Sequence, residues 1–307
     1  MVKGRKSFFG SASWILSWML GVILYLFAIE VLNWNWYKLT SIVLFTSFFV
    51  LWFRDFDNWP FRKLRCIWKG VGIVISSFVL AMIMWNYIGM TDWDPFVKGI
   101  PMASTALFLY FVVSWSFENT HLDIQSYPKK AFIQAIIYLF LAYILIKAGE
   151  VTSTPLVEGL PFYWFPLAIF YFYGFDSWVT EEMKQPTKGI VDILTVLFLG
   201  TIFVLIIIHG FGVEPLVTHL NPELLAWTAV YSSVAVPLFI LVRKRLWDRL
   251  KQPAAGVIGL VFLGILSTAE FWVLSYIVGL DNTIITALGF SVTFTAIILA
   301  FAFDYIR

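Results

Sequence analysis

Five polar side chains interrupt otherwise apolar runs at a nearly constant interval. They are Glu30, Asn86, Lys147, His209 and Glu270, separated by 56, 61, 62 and 61 residues. A carboxylate in apolar surroundings attracts a cation, relays a proton or is neutralised by a lysine. Glu270, Glu30 and Lys147 therefore carry the chemistry this chain has to offer, provided the fold brings their helices together. Aromatic rings flank two of the polar positions, Trp85 before Asn86 and Trp272 after Glu270. Rings around a carboxylate make a cage for a methylated or quaternary ammonium ion. The same rings suit a quinone or lipid groove, and plain helix packing is their commoner use. The expected substrate-binding set is Glu270, Glu30, Lys147, His209, Asn86, Trp85 and Trp272.

Position in the runs separates these residues. His209 directly precedes a glycine expected to end its helix, Lys147 lies two residues before another, and Asn86 lies three residues before Gly89. Snorkelling at the membrane interface accounts for all three. Glu30 precedes Trp34 by four residues, about 6 Å of helix rise, and is interfacial on the same reasoning. Glu270 lies eleven residues before Asp281. At about 1.5 Å per residue that is ~16 Å, near the middle of a bilayer. A functional or paired role is expected for Glu270 above the others.

Other chemistry is excluded by what the sequence lacks. His121, His209 and His219 are widely separated, the chain has one cysteine, Cys66, and no HExxH occurs, so no metal or haem is expected. There is no P-loop and no dinucleotide fingerprint, and no cofactor is expected. Glu181-Glu182 lacks the downstream arginine and paired histidines of an intramembrane protease. The basic run Arg243 to Arg249 follows from membrane topology, so nucleic acid is not an expected partner.

The elements that must position these residues are membrane helices. With 60% hydrophobic and 13% charged residues and a mean hydropathy of +0.84, the chain exposes too much apolar surface for a soluble core. About ten spans are expected: Ser11–Leu32, Tyr37–Phe53, Gly70–Ile88, Ile100–Phe117, Ala131–Ala148, Leu160–Phe175, Ile190–His209, Pro222–Val242, Gly256–Gly279 and Thr283–Phe303. The basic start MVKGRKSFFG resembles a signal-sequence flank, but the long apolar run after it lacks a small-residue cleavage site and reads as a retained first helix.

The spans group into five hairpins of one transmembrane domain, 1–307. The repeat units are approximately 1–65, 66–127, 128–188, 189–252 and 253–307. The stretch Gly149 to Pro161, GEVTSTPLVEGLP, recurs sixty residues earlier as GMTDWDPFVKGIP from Gly89 to Pro101, and a weaker copy leads from Gly210 to Pro222. Eighteen of the 21 Lys and Arg fall between hairpins, leaving Lys38, Lys98 and Lys147 for the other side. The positive-inside rule then puts both termini in the cytoplasm and the glycine–proline motifs outside, in what is expected to be the plasma membrane. Every hairpin keeps the same orientation, unlike an inverted-repeat transporter, and a closed five-fold arrangement is compatible with that.

The fold class is thus an all-α integral membrane protein with parallel-oriented hairpin repeats. The leading functional expectation is a permease or channel for a small solute, a cation or methylated amine, with an outward vestibule and Glu270 as its polar determinant. A non-transporting anchor subunit of a complex is the main rival, and a membrane enzyme acting on lipid or quinone ranks below it. Expected partners are the lipid bilayer, the solute, and copies of the chain or partner subunits.

Overall fold

Apolar runs of this length fold as helices because only a helix satisfies its own backbone groups away from water. The computed structural model describes residues 5–55, 58–91, 93–117, 127–152, 163–175, 177–210, 222–242 and 251–302. Among them all regular structure is helical. Helix α1 runs Arg5–Leu26 and continues as a π-helical turn Phe27–Val31; α2 is Trp36–Asp55, α3 Cys66–Gly89, α4 Pro95–Ser116 and α5 Tyr127–Thr152. Helix α6 spans 163–169 and continues as a π turn Phe170–Gly174. Then follow α7 Thr187–Gly210, α8 Pro222–Val236 with a π turn Pro237–Val242, α9 Ala254–Trp272 with a π turn Val273–Ile277, and α10 Asn282–Ile297 with a π turn Ile298–Ala302. Nine of these, all but α6, are long and apolar enough to cross a membrane.

The helices sort into two shells. In α2, α4, α8 and α10, 78–89% of the spanning window is buried; in α1, α3, α5, α7 and α9 the figure is 17–33%. The even helices form an inner ring. Helix α2 packs on α4, and α4 meets α6 through Phe111–Phe165 and Trp115–Tyr173. Helix α6 meets α8 at Phe170–Phe239, α8 packs on α10, and α10 returns to α2. Each odd helix lies outside, over the seam between the inner helix that precedes it and the inner helix before that. Thus α3 covers α2 and the end of α10, α5 covers α4 and α2, and α7 covers α6 and α4. Likewise α9 covers α8 and α6, and α1 covers α10 and α8.

This packing follows from side-chain size and polarity. Lipid tails are as apolar as leucine, so membrane helices are held together by close contact and internal hydrogen bonds. A Cβ on Gly289 would fall 2.9 Å from the Ala229 backbone, so glycine allows α10 to approach α8. The inner helices carry hydroxyls that satisfy themselves on the preceding turn, as Thr46 does on Ile42 (2.6 Å), Thr228 on Leu224 (2.8 Å) and Thr293 on Gly289 (2.9 Å). Such residues can be buried on every side of a helix.

The glycine–proline motif behaves differently from its expected role as a turn. The second half of its first copy, Pro95 to Pro101, is the start of α4. Proline is favoured at a first helical position, and the Asp94 carbonyl accepts from the Lys98 amide at 2.9 Å. Gly99 must be small because a Cβ there would lie 2.7 Å from both Ser41 and Trp85, at the meeting of α2, α3 and α4. Gly149 also differs from expectation: it is buried inside α5, which runs on to Thr152. The rest of the second copy and the body of the third lie outside the described residues.

Candidate functional site

Glu270 sits one turn before the π turn of α9 and is half-buried against α8. The Ser233 hydroxyl lies 2.5 Å from its Oε1 and also 2.8 Å from the Val230 carbonyl. A hydroxyl has a single proton to donate. Either Ser233 donates to an ionised Glu270, or it donates to Val230 and accepts a proton from a neutral Glu270. The pair therefore accommodates both protonation states without moving the backbone. One residue further along α9, Phe271 stacks on Trp227 of α8 at 3.9 Å between centroids and 12° between planes. Tyr231 is hydrogen-bonded to Thr268 and packs edge-on against Phe203 of α7 at 4.8 Å. On the lipid side a shallow depression is lined by Gly264, Ile265, Thr268, Ala269 and Trp272.

The other expected residues are dispersed over the outer shell. Glu30 is exposed in the π turn of α1, Asn86 is exposed on α3, and His209 is exposed in the last turn of α7. Trp85 is 5% exposed and fixed against Gly99, whereas Trp272 is exposed. Lys147 of α5 contacts the Glu150 carboxylate at 2.8 Å and lies 4.7 Å from the centre of the Trp93 ring. Glu150 also binds Lys98, a buried lysine of α4, at 3.0 Å. Glu270 is thus brought to Ser233, and Lys147 to Glu150 and Trp93. Outer helices make their main contacts with inner ones, so residues on five outer helices are spread around the ring.

A second set of buried polar groups, outside the residues expected from the sequence, lies at the opposite ends of the helices. Asp192 of α7 is 1% exposed and its Oδ1 accepts from Tyr171 and Thr180, both at 2.5 Å. Gln134 of α5 donates to Ser114 of α4 at 2.9 Å, and Ser114 meets the Tyr138 hydroxyl at 3.2 Å. Asp55, in the last turn of α2, accepts from the buried phenol of Tyr110. Its neighbour Arg54 lies over the rings of Trp115 and Phe301. A signal was present: Gln134 and Asp192 each stand six residues after a proline, Pro128 and Pro186.

Asp281 is the clearest electrostatic feature outside the spans. It caps α10 by accepting from the amides of Thr283 (2.8 Å) and Ile284 (2.9 Å) and from the Thr283 hydroxyl. Those hydrogen bonds hold its carboxyl below the ordinary range. Among the described residues no cluster of His, Cys, Asp and Glu could hold a metal ion. No family model, curated protein or solved structure matches this chain.

Proposed function

We propose that the protein is a multi-span permease or channel for a small cation or amine, with Glu270 as its intramembrane determinant. The observation that carries this reading is the Glu270–Ser233 contact at 2.5 Å, which couples the lipid-facing shell to the inner ring within a span. The next residue along α9, Phe271, stacks on Trp227 of α8, and the carboxylate's hydroxyl partner can serve it charged or neutral. A cation entering such a site would meet a charge in a desolvated, aromatic setting, where electrostatic attraction is strongest. At the end where α5 finishes, Glu150 is matched by Lys98 and Lys147, so Glu150 adds little to the attraction of a cation there.

The finer architecture belongs to the same proposal. The recurring cover of each odd helix over the two preceding inner helices is what five parallel hairpin repeats in a closed ring would produce. With both termini cytoplasmic, the end where α3 and α5 finish and α4 begins would face outward.

The test is a thermal-shift screen of the purified protein against amines, quaternary ammonium compounds, amino acids, metal ions and quinones, with Glu270→Gln beside the wild type. A ligand-dependent rise in Tm that the variant loses supports the reading. A screen in which Glu270→Gln responds as the wild type does sinks it.

A further inference from the structure

Three hydroxyls of the inner ring are buried without a partner. Thr40 of α2, Thr105 of α4 and Ser232 of α8 are each 0% exposed, and among the described residues their oxygens have no hydrogen-bond partner. Buried polar groups are as a rule hydrogen-bonded, so three such hydroxyls in one ring point to an occupant.

Helical phase gives their direction. On α8, Ser233 meets Glu270 and Trp227 stacks on Phe271, so α9 covers the arc between them. At about 100° per residue, Ser232 and Thr228 lie about 160° from the middle of that arc, facing the ring axis. On α4, Tyr110 and Ser114 meet Tyr138 of α5, and Thr105 lies about 160° from the middle of their arc. On α10, Val292 and Thr295 meet α1, and Thr286 and Thr293 lie about 130–150° away. On α2, Arg54 reaches between Trp115 of α4 and Phe301 at the end of α10, its two neighbours in the ring, and so points inward. Ser47 and Thr40 stand seven and fourteen residues earlier, on the same face to within about 40°.

The inward hydroxyls form two tiers. The helices begin level, because Gly99 of α4 lies against Ser41 of α2, and Gly289 of α10 against Ala229 of α8, at matching distances from their starts. Thr40, Thr228 and Thr286 stand four to six residues in, about 6–9 Å. Ser47, Thr105, Ser232 and Thr293 stand ten or eleven residues in, about 15–17 Å. Ser47, Thr228, Thr286 and Thr293 donate to the preceding turn and present acceptor oxygens, whereas Thr40, Thr105 and Ser232 keep protons to donate. Beyond the tiers the Arg54 guanidinium lies 5.4 Å from the Trp115 ring and 4.4 Å from the Phe301 ring.

Donors and acceptors without net charge match water or another hydroxyl. An ion stripped of water at these tiers would meet no opposite charge in them, and Arg54 repels a cation at the far end. We infer that the axis of the inner ring is a path for water and small uncharged hydroxylic solutes, closed by Arg54 where α2, α4 and α10 end. The path is independent of the Glu270 reading, because α9 lies outside the ring.

Glycerol entry into proteoliposomes of the full chain, followed by stopped-flow light scattering, tests it. Entry should exceed that of protein-free liposomes and rise at least about threefold in Arg54→Ala, as loss of a cation–π contact allows. Thr105→Val combined with Ser232→Ala should lower it about tenfold. Ser232→Cys, in a chain carrying Cys66→Ser, gives a readout apart from flux: it should react with a small water-soluble methanethiosulfonate, and faster with Arg54→Ala. Glycerol entry at the protein-free rate in both wild type and Arg54→Ala, or an unreactive Ser232→Cys, would mean dry packing and overturn the path. Potassium or chloride entry as fast as that of glycerol would make it an ion path and overturn the uncharged assignment.

Discussion

Ser233 is the residue on which the reading of Glu270 turns, because its one proton lies within reach of two acceptors. Replacing it with alanine leaves the carboxylate its charge but removes its partner, so any cation response should survive in weakened form, whereas Glu270→Gln should abolish it. We expect Glu270→Gln to lower uptake into liposomes at least about tenfold, in line with roughly 1.5–3 kcal/mol for a hydrogen bond to a charged group. Flux measured for both variants separates the two roles, and equal loss in each would argue that Ser233 is as necessary as the charge. Asp281 makes a prediction of a different kind. Its carboxyl is held low by the α10 cap, so its stabilising contribution is complete above the ordinary aspartate value of about 3.9. That contribution is lost as pH falls through the lower folded value. Asp281→Ala should cost about 1 kcal/mol at neutral pH and nothing once the wild type is protonated. Detergent unfolding midpoints at several pH values check both the size and the sign.

At the scale of elements, packing depends on where small residues allow backbones to meet. Gly289 of α10 lies against the backbone of Ala229, and Gly21 of α1 lies against Val292 of α10. Valine at Gly289 cannot be relieved by rotating a side chain, because the atoms it meets are backbone. Overpacking of this kind costs about 1–3 kcal/mol, and Gly289→Val should lower Tm sharply. Gly264 has open space around it, so Gly264→Ala should leave Tm nearly unchanged. The pair of variants separates helix approach from helix propensity, since both put a side chain into a helix. Polar knots obey the same logic with a different currency. Tyr110→Phe removes the phenol that Asp55 accepts from and leaves that carboxylate in a half-buried setting, for about 1–3 kcal/mol.

At the scale of the whole molecule, the chain closes on itself. Helix α1 makes its main contacts with α10 and the π turn of α8, at the far end of the sequence, and Thr295 donates to the Ser17 carbonyl at 2.7 Å. A cysteine pair at Ser17 and Thr295, in a chain with Cys66 replaced by serine, should link α1 to α10 with a short bifunctional reagent and give a compact species on denaturing gels. No crosslink, with single-cysteine controls reactive, would mean the ring is open. Helix number, helix positions and the membrane class were legible in the sequence because each depends on local composition: apolar runs of one bilayer's length, punctuated by Gly, Pro and charge. The recurrence of Glu30, Asn86, Lys147, His209 and Glu270 was legible for the same reason, since spacing is a one-dimensional property. What those residues touch was not. Lys147 could have met Glu270 as far as any spacing shows; its contact with Glu150 is local to α5, and it reaches Trp93 because α5 lies over α4, not beside α9. Asp192 meets Tyr171 and Asp55 meets Tyr110 only because other helices bring those phenols to them. The sequence by itself determined which segments leave water, because that is decided by transfer of each segment on its own. Only the tertiary structure decided which helices face lipid, which are enclosed and which polar groups meet, because those depend on contacts between segments far apart in the chain.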